Sequence, residues 1–194
     1  YVGAIVGASQ NATMNIYGGY GKSAKCGIIV MSTGATINVS GGEWIANNDG
    51  TVAAGNNAVL VSQNNRYETG WACKSILNVT GGTFKGGYNC YGMGPGVEPD
   101  DAQINIKGGN FNSNPASYVV AGYESVEENG VYTVGLATVA TTADLQAAIN
   151  EGQSPIYLAA NTTFEGTVVM KSNITIVGLE GSTMHCVNLF GADN

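Results

Sequence analysis

The segment ATINVSGGEW at residues 35–44 has three relatives in the chain: ATMNIYGG at 12–19, SILNVTGGTF at 75–84 and AQINIKGGNF at 102–111. A motif written four times is a unit that cannot bury its apolar side alone and must stack on its neighbours. Within each copy the residue character alternates, which is the period of a strand. One parity reads Ala12, Met14, Ile16; Ala35, Ile37, Val39; Ser75, Leu77, Val79; and Ala102, Ile104, Ile106. A fifth segment, SNITIVG at 172–178, adds Ser172, Ile174 and Ile176. This small-large-large parity must face a core. The opposite parity reads Thr13, Asn15, Tyr17; Thr36, Asn38, Ser40; Ile76, Asn78, Thr80; and Gln103, Asn105, Lys107, mostly polar and therefore outward. Slipping the register by one residue would expose every aliphatic side chain, so the register is strongly specified.

A glycine pair closes each strand and marks a corner with positive φ. An aromatic follows in three copies (Trp44, Phe84, Phe111), whereas the first copy has Tyr20 and then Gly21. The leading glycines fall 23, 40 and 27 residues apart, and 20–30 residues is roughly one coil of a β-solenoid. The 40-residue step holds either one coil with a long excursion or an extra coil lacking the motif, with VAAGNNAVLVSQ at 52–63 as a further strand. Coils stacked in register repeat every ~4.8 Å. Asn15, Asn38, Asn78 and Asn105 would then form an outer carboxamide ladder, as stacked amides do elsewhere. An antiparallel β-sandwich with four similar strands is the competing architecture, and the consistent parity of four copies argues against it.

The aliphatic-Asn-aliphatic-x-Gly-Gly-x-aromatic repeat resembles that of the right-handed parallel β-helix, or pectin-lyase-like, superfamily. It is especially similar to Gly/Asn-rich versions on gut-bacterial surfaces and in phage fibres. The resemblance covers most of residues 1–111 and resumes at about 138–194. It implies an all-β fold, a right-handed parallel β-helix with a β-hairpin insertion and one short capping α-helix. It says little about function, because that fold hosts lyases, hydrolases, adhesins and tailspikes.

The repeat pauses after Phe111. Asn129-Gly130 is a hairpin turn signal between SYVVAGYESV and VYTVG, so residues 112–137 read as a hairpin that closes an open solenoid end. TTADLQAAINEG at 141–152 then reads as a helix. Thr141 and Asp144 make a capping box, Leu145, Ala148 and Ile149 share one face, and Gly152 stops it. Residues 138–194 thus look like the cap and opening coils of a second β-helix block. The chain opens on Tyr1 rather than Met, which reads as a chain processed or excised from something longer. Joining residues 172–194 to 1–19 gives an uninterrupted solenoid pattern, with Gly178 and Gly18 then 34 residues apart. Head-to-tail continuity with other copies follows as an expectation, through covalent tandem repeats or separate subunits of a fibre.

Composition narrows the chemistry. Charged residues make up 11% of the chain and the net charge is −7, with one Arg, which argues against a nucleic-acid partner. Nothing approaches the ~18 apolar residues of a membrane span. The four cysteines lack zinc spacing and read as buried thiols or two disulfides. Cys26, Cys90 and Cys186 share nearly one coil phase, so Cys186 could bridge to Cys26 of the next copy. No resident metal or other cofactor is indicated. Glu98, Asp100 and Asp101 form the nearest thing to a calcium cluster, although a solvated acidic loop explains them as well. Arg66 is isolated, no carboxylate pair shares a coil phase, and His185 beside Cys186 sits on the opposite face of a strand. Tyr67, Trp71, Tyr88 and Tyr91 in the excursions are candidate platforms for a carbohydrate. The leading expectation is a non-catalytic structural solenoid, extracellular, on a cell surface or in a virion. The alternative is a polysaccharide-degrading lyase or hydrolase domain.

Overall fold

Alternating parity makes strands, and the glycine pairs bend one strand into the next. The computed structural model describes residues 6–8, 11–24, 27–31, 35–52, 58–65, 75–93 and 102–190. The chain opens with β1 (Val6–Ala8) and then runs through coils of three strands each. The first is β2 (Thr13–Ile16), β3 (Tyr20–Lys22) and β4 (Ile28–Met31). The second is β5 (Thr36–Val39), β6 (Glu43–Ile45) and β7 (Leu60–Asn65). The third is β8 (Ser75–Val79), β9 (Thr83–Lys85) and β10 (Tyr88–Met93), and β11 (Ala102–Ile106) and β12 (Gly109–Phe111) begin the fourth. Like strands pair in parallel from coil to coil, so three sheets run along one axis. Sheet 1 is β2-β5-β8-β11, sheet 2 contains β3-β6-β9-β12, and sheet 3 is β1-β4-β7-β10. The protein is a parallel β-solenoid.

Asn38 pairs with both Asn15 and Asn78, so the 40-residue step is a single coil. Its extra length lies on either side of β7, which pairs with β4 and β10 and is that coil's strand in sheet 3. The core is a set of vertical columns. Ile16, Val39, Val79 and Ile106 stack through the register of sheet 1, all buried. Trp44, Phe84 and Phe111 form the aromatic column of sheet 2, with the Phe rings stacked 5.1 Å apart and nearly parallel. Burying each such side chain contributes about 1.5–3 kcal/mol. Gly21 occupies the aromatic phase in the first coil, in register with Trp44.

The glycine pair has two separate causes. The second member has a left-handed backbone, with φ of +97° at Gly42, +112° at Gly82 and +116° at Gly109. In the second, third and fourth copies the first member has no room for a Cβ, because the preceding coil's backbone lies there, whereas Gly18 in the first copy has open space. A Cβ on Gly41 would sit 2.5 Å from Tyr17 O, and one on Gly81 2.6 Å from Ser40 O. Coil-to-coil hydrogen bonds run straight through these corners: Thr80 N donates to Val39 O, and Thr83 N to Gly42 O, both at 2.8 Å.

After Phe111 the chain closes this end. Residues 116–118 form a 3-10 turn rather than the start of an extended arm, and Val119 bridges Ile106 in parallel. The hairpin proper is β13 (Tyr123–Glu128) and β14 (Val131–Leu136), turning at Asn129 (φ +53°) and Gly130 (φ +79°). β14 lies antiparallel on β12, with Phe111 opposite Tyr132.

The chain divides into two compact units, Tyr1–Gly135 and Leu136–Asn194. The second comprises β15 (Thr138–Val139), α1 (Thr142–Asn150), β16 (Ile156–Leu158), β17 (Thr163–Met170), β18 (Ile176–Gly178) and β19 (Thr183–Phe190). Ile156 pairs with Ile176 and Thr163 with Thr183, a 20-residue coil. Thr141 caps α1 by accepting from Asp144 N at 3.1 Å and donating to Asp144 Oδ2 at 2.7 Å. Leu145, Ala148 and Ile149 pack on Ile156, Leu158, Phe164 and Val168. The helix also satisfies a strand edge. Gln146 Oε1 accepts from Val169 N at 2.7 Å, its Nε2 donates to Val169 O at 3.1 Å, and Thr142 Oγ1 bonds both Glu165 N and Glu165 O. Two helix side chains thereby stand in for the strand that would otherwise pair with β17.

Two outcomes are expected. Gly81→Ala should lower the stability of the first unit by about 1–3 kcal/mol in urea titration, whereas Gly135→Ala, with open space around its Cβ, should leave it nearly unchanged. Gln146→Ala should weaken the second unit and raise amide exchange at Val169 by removing its acceptor.

Candidate functional site

The outer face of sheet 1 carries the most regular polar surface among the described residues. Parallel register places Asn15, Asn38, Asn78 and Asn105 one above another. Their side chains form a one-way chain of hydrogen bonds. Asn38 Nδ2 donates to Asn15 Oδ1 at 2.9 Å, Asn78 Nδ2 to Asn38 Oδ1 at 2.8 Å, and Asn105 Nδ2 to Asn78 Oδ1 at 3.0 Å. Asn suits this position because its carboxamide donates and accepts at once, so the same residue can serve every coil. Each inner amide spends one N–H and one lone pair on the column and keeps one of each.

Two residues further along each strand runs a second outward column: Tyr17, Ser40, Thr80 and Lys107. Ser40 Oγ donates to Ile16 O at 3.4 Å and Thr80 Oγ1 to Val39 O at 3.3 Å, so both hydroxyls turn their lone pairs outward. The two columns line a groove of ≈ 380 Å³ that runs over the four coils. Tyr17 flanks it in the first coil with 81% of its surface exposed, and Lys107 flanks it in the fourth. The parity that placed these two residues outward was visible in the sequence. Their joint position beside one groove depends on the register of coils 90 residues apart.

The other candidates separate. Tyr88 belongs to the packing. Its ring lies 6.0 Å from Phe111 and 5.4 Å from Tyr118, and its hydroxyl donates to Ser113 O at 2.7 Å. Burial pushes its phenol well above the usual tyrosine value, against the opposing effect of the Ser113 hydrogen bond. A platform that relies on Tyr88 therefore finds this ring already engaged. Tyr67 and Trp71, the acidic residues Glu98, Asp100 and Asp101, and Cys26 lie outside the described residues, as does the side chain of Tyr91. Cys186 is a free, half-buried thiol packed against the core of the second unit. Among the described residues no three His, Cys, Asp or Glu side chains gather as a metal site.

The excursion of the second coil is held in place by side chains. Asn112 Nδ2 donates to Gly50 O at 2.7 Å, and Asn112 Oδ1 accepts from Gly86 N at 2.8 Å. Within it, the Thr51 hydroxyl and backbone N–H both donate to Asp49 and hold its carboxyl below the ordinary value. Lys85 and Glu43 pair at 2.9 Å on the surface of sheet 2, each about two-fifths exposed, an arrangement that contributes little to stability.

No family model, curated protein or solved structure matches the chain at a significant level.

The column makes a graded prediction. Asn78→Ala breaks two hydrogen bonds and Asn15→Ala only one, at the exposed end. The first should cost about 1–2 kcal/mol and the second about half as much in chemical denaturation.

Proposed function

We propose that this chain is a non-catalytic structural solenoid that extends by head-to-tail stacking, as part of an extracellular fibre on a bacterial surface or in a phage virion. We place it with the pectin-lyase-like solenoids on the character of its repeat. The observation that carries the reading is the state of the strand edges. Among the described residues β1, β2 and β3 each stand last in their sheets, whereas at the opposite end Val119 and the hairpin cover sheets 1 and 2 and β10 stands last in sheet 3. In the second unit α1 occupies one edge of β17, while β18 and β19 each end their sheets. Each unit thus has one end at which most strands are covered, with β10 and β15 as the exceptions, and another at which the last described strands have unpaired edges.

Hydrogen bonding makes the open edge specific. Thr36 N and Ser40 N donate to Ala12 O and Ile16 O, so the even-numbered residues of this strand face β5. The backbone groups of Thr13 and Asn15 face the other way, toward an incoming strand. At the same end the Asn column terminates in Asn15, whose Nδ2 has no column partner. A further coil with an acceptor at that phase would continue the ladder. Low charge removes the repulsion that ordinarily blunts such edges. Contacts of this kind do not close on themselves and give filaments. The outward columns of sheet 1 consist of carboxamides, hydroxyls, an aliphatic, a phenol and one ammonium, which favours a structural role over carboxylate-driven hydrolysis.

Sedimentation velocity and negative-stain electron microscopy of the purified chain test this directly. Linear assemblies that lengthen with concentration are expected, and a monomer at every concentration overturns the proposal. Thr13→Pro removes an N–H from the open edge only. It should shorten the assemblies while leaving the far-UV circular dichroism of the sheets unchanged.

A further inference from the structure

The hairpin that covers β12 has an outer edge of its own. β13 stands last in the order β13-β14-β12-β9-β6-β3, six residues of strand with no strand beyond them among the described residues. We propose that this edge takes up an extended basic segment of a partner protein as an additional strand, read by the pattern basic-x-aliphatic-x-basic. The inference stands apart from head-to-tail stacking, which uses the edges at the other end of the first unit.

Backbone geometry leaves the edge open. The two-residue turn at Asn129 and Gly130 sets Glu128 opposite Val131, a pair that exchanges both backbone hydrogen bonds. Antiparallel pairs alternate, so Glu124 and Val126 also turn their backbone groups toward β14. The backbone groups of Ser125 and Glu127 therefore face away from β14, on the side where no further strand follows. The strand YESVEE contains neither the proline nor the lysine that commonly blunts an exposed edge. It also carries an unmet group. The Ser125 hydroxyl is buried without a hydrogen-bond partner among the described residues. A strand laid beside β13 brings a side chain opposite Ser125, and a hydroxyl at that position can pair with it.

Side chains then choose the occupant. Glu124, Val126 and Glu128 share one parity and are all exposed, Val126 with 57% of its surface. Opposite charges across a strand pair attract, and like charges directly opposite repel. A second β13 laid antiparallel and centred on Val126 would set glutamate against glutamate, so the acids oppose pairing with the same edge of another copy. A segment reading basic-x-aliphatic-x-basic instead sets a cation against Glu124, an aliphatic against Val126 and a cation against Glu128. The pattern is symmetric, so it suits either strand direction. Glu127 belongs to the other parity, and its Oε1 accepts from Gly130 N at 2.8 Å, which ties it to the turn. The net charge of −7 adds a general attraction for a basic segment. Backbone bonds would supply the affinity and the alternate side chains the selectivity, as in strand addition generally.

Fluorescence anisotropy with the full chain supplies the test, using the labelled peptide KTVTKTVTK as probe. Two control peptides accompany it: ETVTETVTE, of opposite charge, and KTPTKTPTK, which keeps the charge but cannot pair as a strand. KTVTKTVTK is expected to bind saturably with a Kd of about 1 mM or tighter, and both controls at least ~10-fold more weakly. The double substitution Glu124→Lys with Glu128→Lys should invert the preference, so that ETVTETVTE binds in place of KTVTKTVTK. Both glutamates are exposed, so this variant leaves the fold intact. Ser125→Pro removes an outward N–H and should weaken binding roughly 3- to 10-fold, as loss of one backbone hydrogen bond does, with the far-UV circular dichroism unchanged. Absence of saturable binding overturns the proposal. Equal binding of KTPTKTPTK overturns it too, because charge alone would then explain the complex. Binding that the double substitution leaves unchanged does the same, since the peptide would sit elsewhere. If Ser125→Pro shortens the assemblies of the chain as Thr13→Pro does, another copy occupies this edge and the proposal falls.

Discussion

Everything in the first unit depends on one distance, the ~4.8 Å between hydrogen-bonded parallel strands. Each coil must return to within that distance of the one before it, at the corners as well as along the strands. This requirement is what removes the Cβ from Gly41 and Gly81, whose would-be methyl groups collide with carbonyls of the preceding coil. The same spacing turns one outward Asn per coil into a hydrogen-bonded column and one inward aromatic per coil into a ring stack. A residue is therefore chosen for its fit to its own kind one coil away, which explains why the motif repeats so literally.

A solenoid solves its core problem by stacking and so creates an edge problem at each end. The chain shows two solutions. In the first unit a hairpin reverses direction and lies antiparallel on β12, while Val119 covers the end of β11. In the second unit a helix does the work: Leu145, Ala148 and Ile149 seal the core, and Thr142 and Gln146 reach sideways to satisfy the backbone of β17. A helix can replace a strand here because an amide side chain offers the same donor and acceptor as a peptide group. The edges without such treatment are those on which the fibre reading rests.

The outward surface is as repetitive as the core, and that shapes what it can do. Carboxamides and hydroxyls in columns give a long, neutral, hydrogen-bonding strip rather than a point-like cavity. Such a strip repeats coil by coil, so its chemistry at one coil is its chemistry at the next. Among the described residues the charged groups that would support acid-base chemistry are dispersed by comparison, as in the solvent-exposed pair of Lys85 and Glu43.

Much of this was legible in the sequence because it is local. Alternating parity, the glycine corners, the Asn129-Gly130 turn and the Thr141–Asp144 cap each depend on a few adjacent residues and on backbone sterics. The carboxamide column was legible too, since identical phase in successive repeats implies stacking. Other features were not. Motif spacing left two readings of the 40-residue step, and only the pairing of Asn38 with Asn78 shows it to be one coil. Positive φ accounts for the second glycine of each pair, while in the later copies the first is demanded by a carbonyl some 24 to 41 residues earlier. Tyr88 read as a loop aromatic, and its ring lies between Phe111 and Tyr118. Gln146 carries no local signal, and it completes a strand edge at Val169. The sequence by itself determined the strand period, the corners and the caps, because pleat geometry acts residue by residue. Tertiary structure alone decided which groups meet across coils, because those contacts exist only once the chain has come full circle.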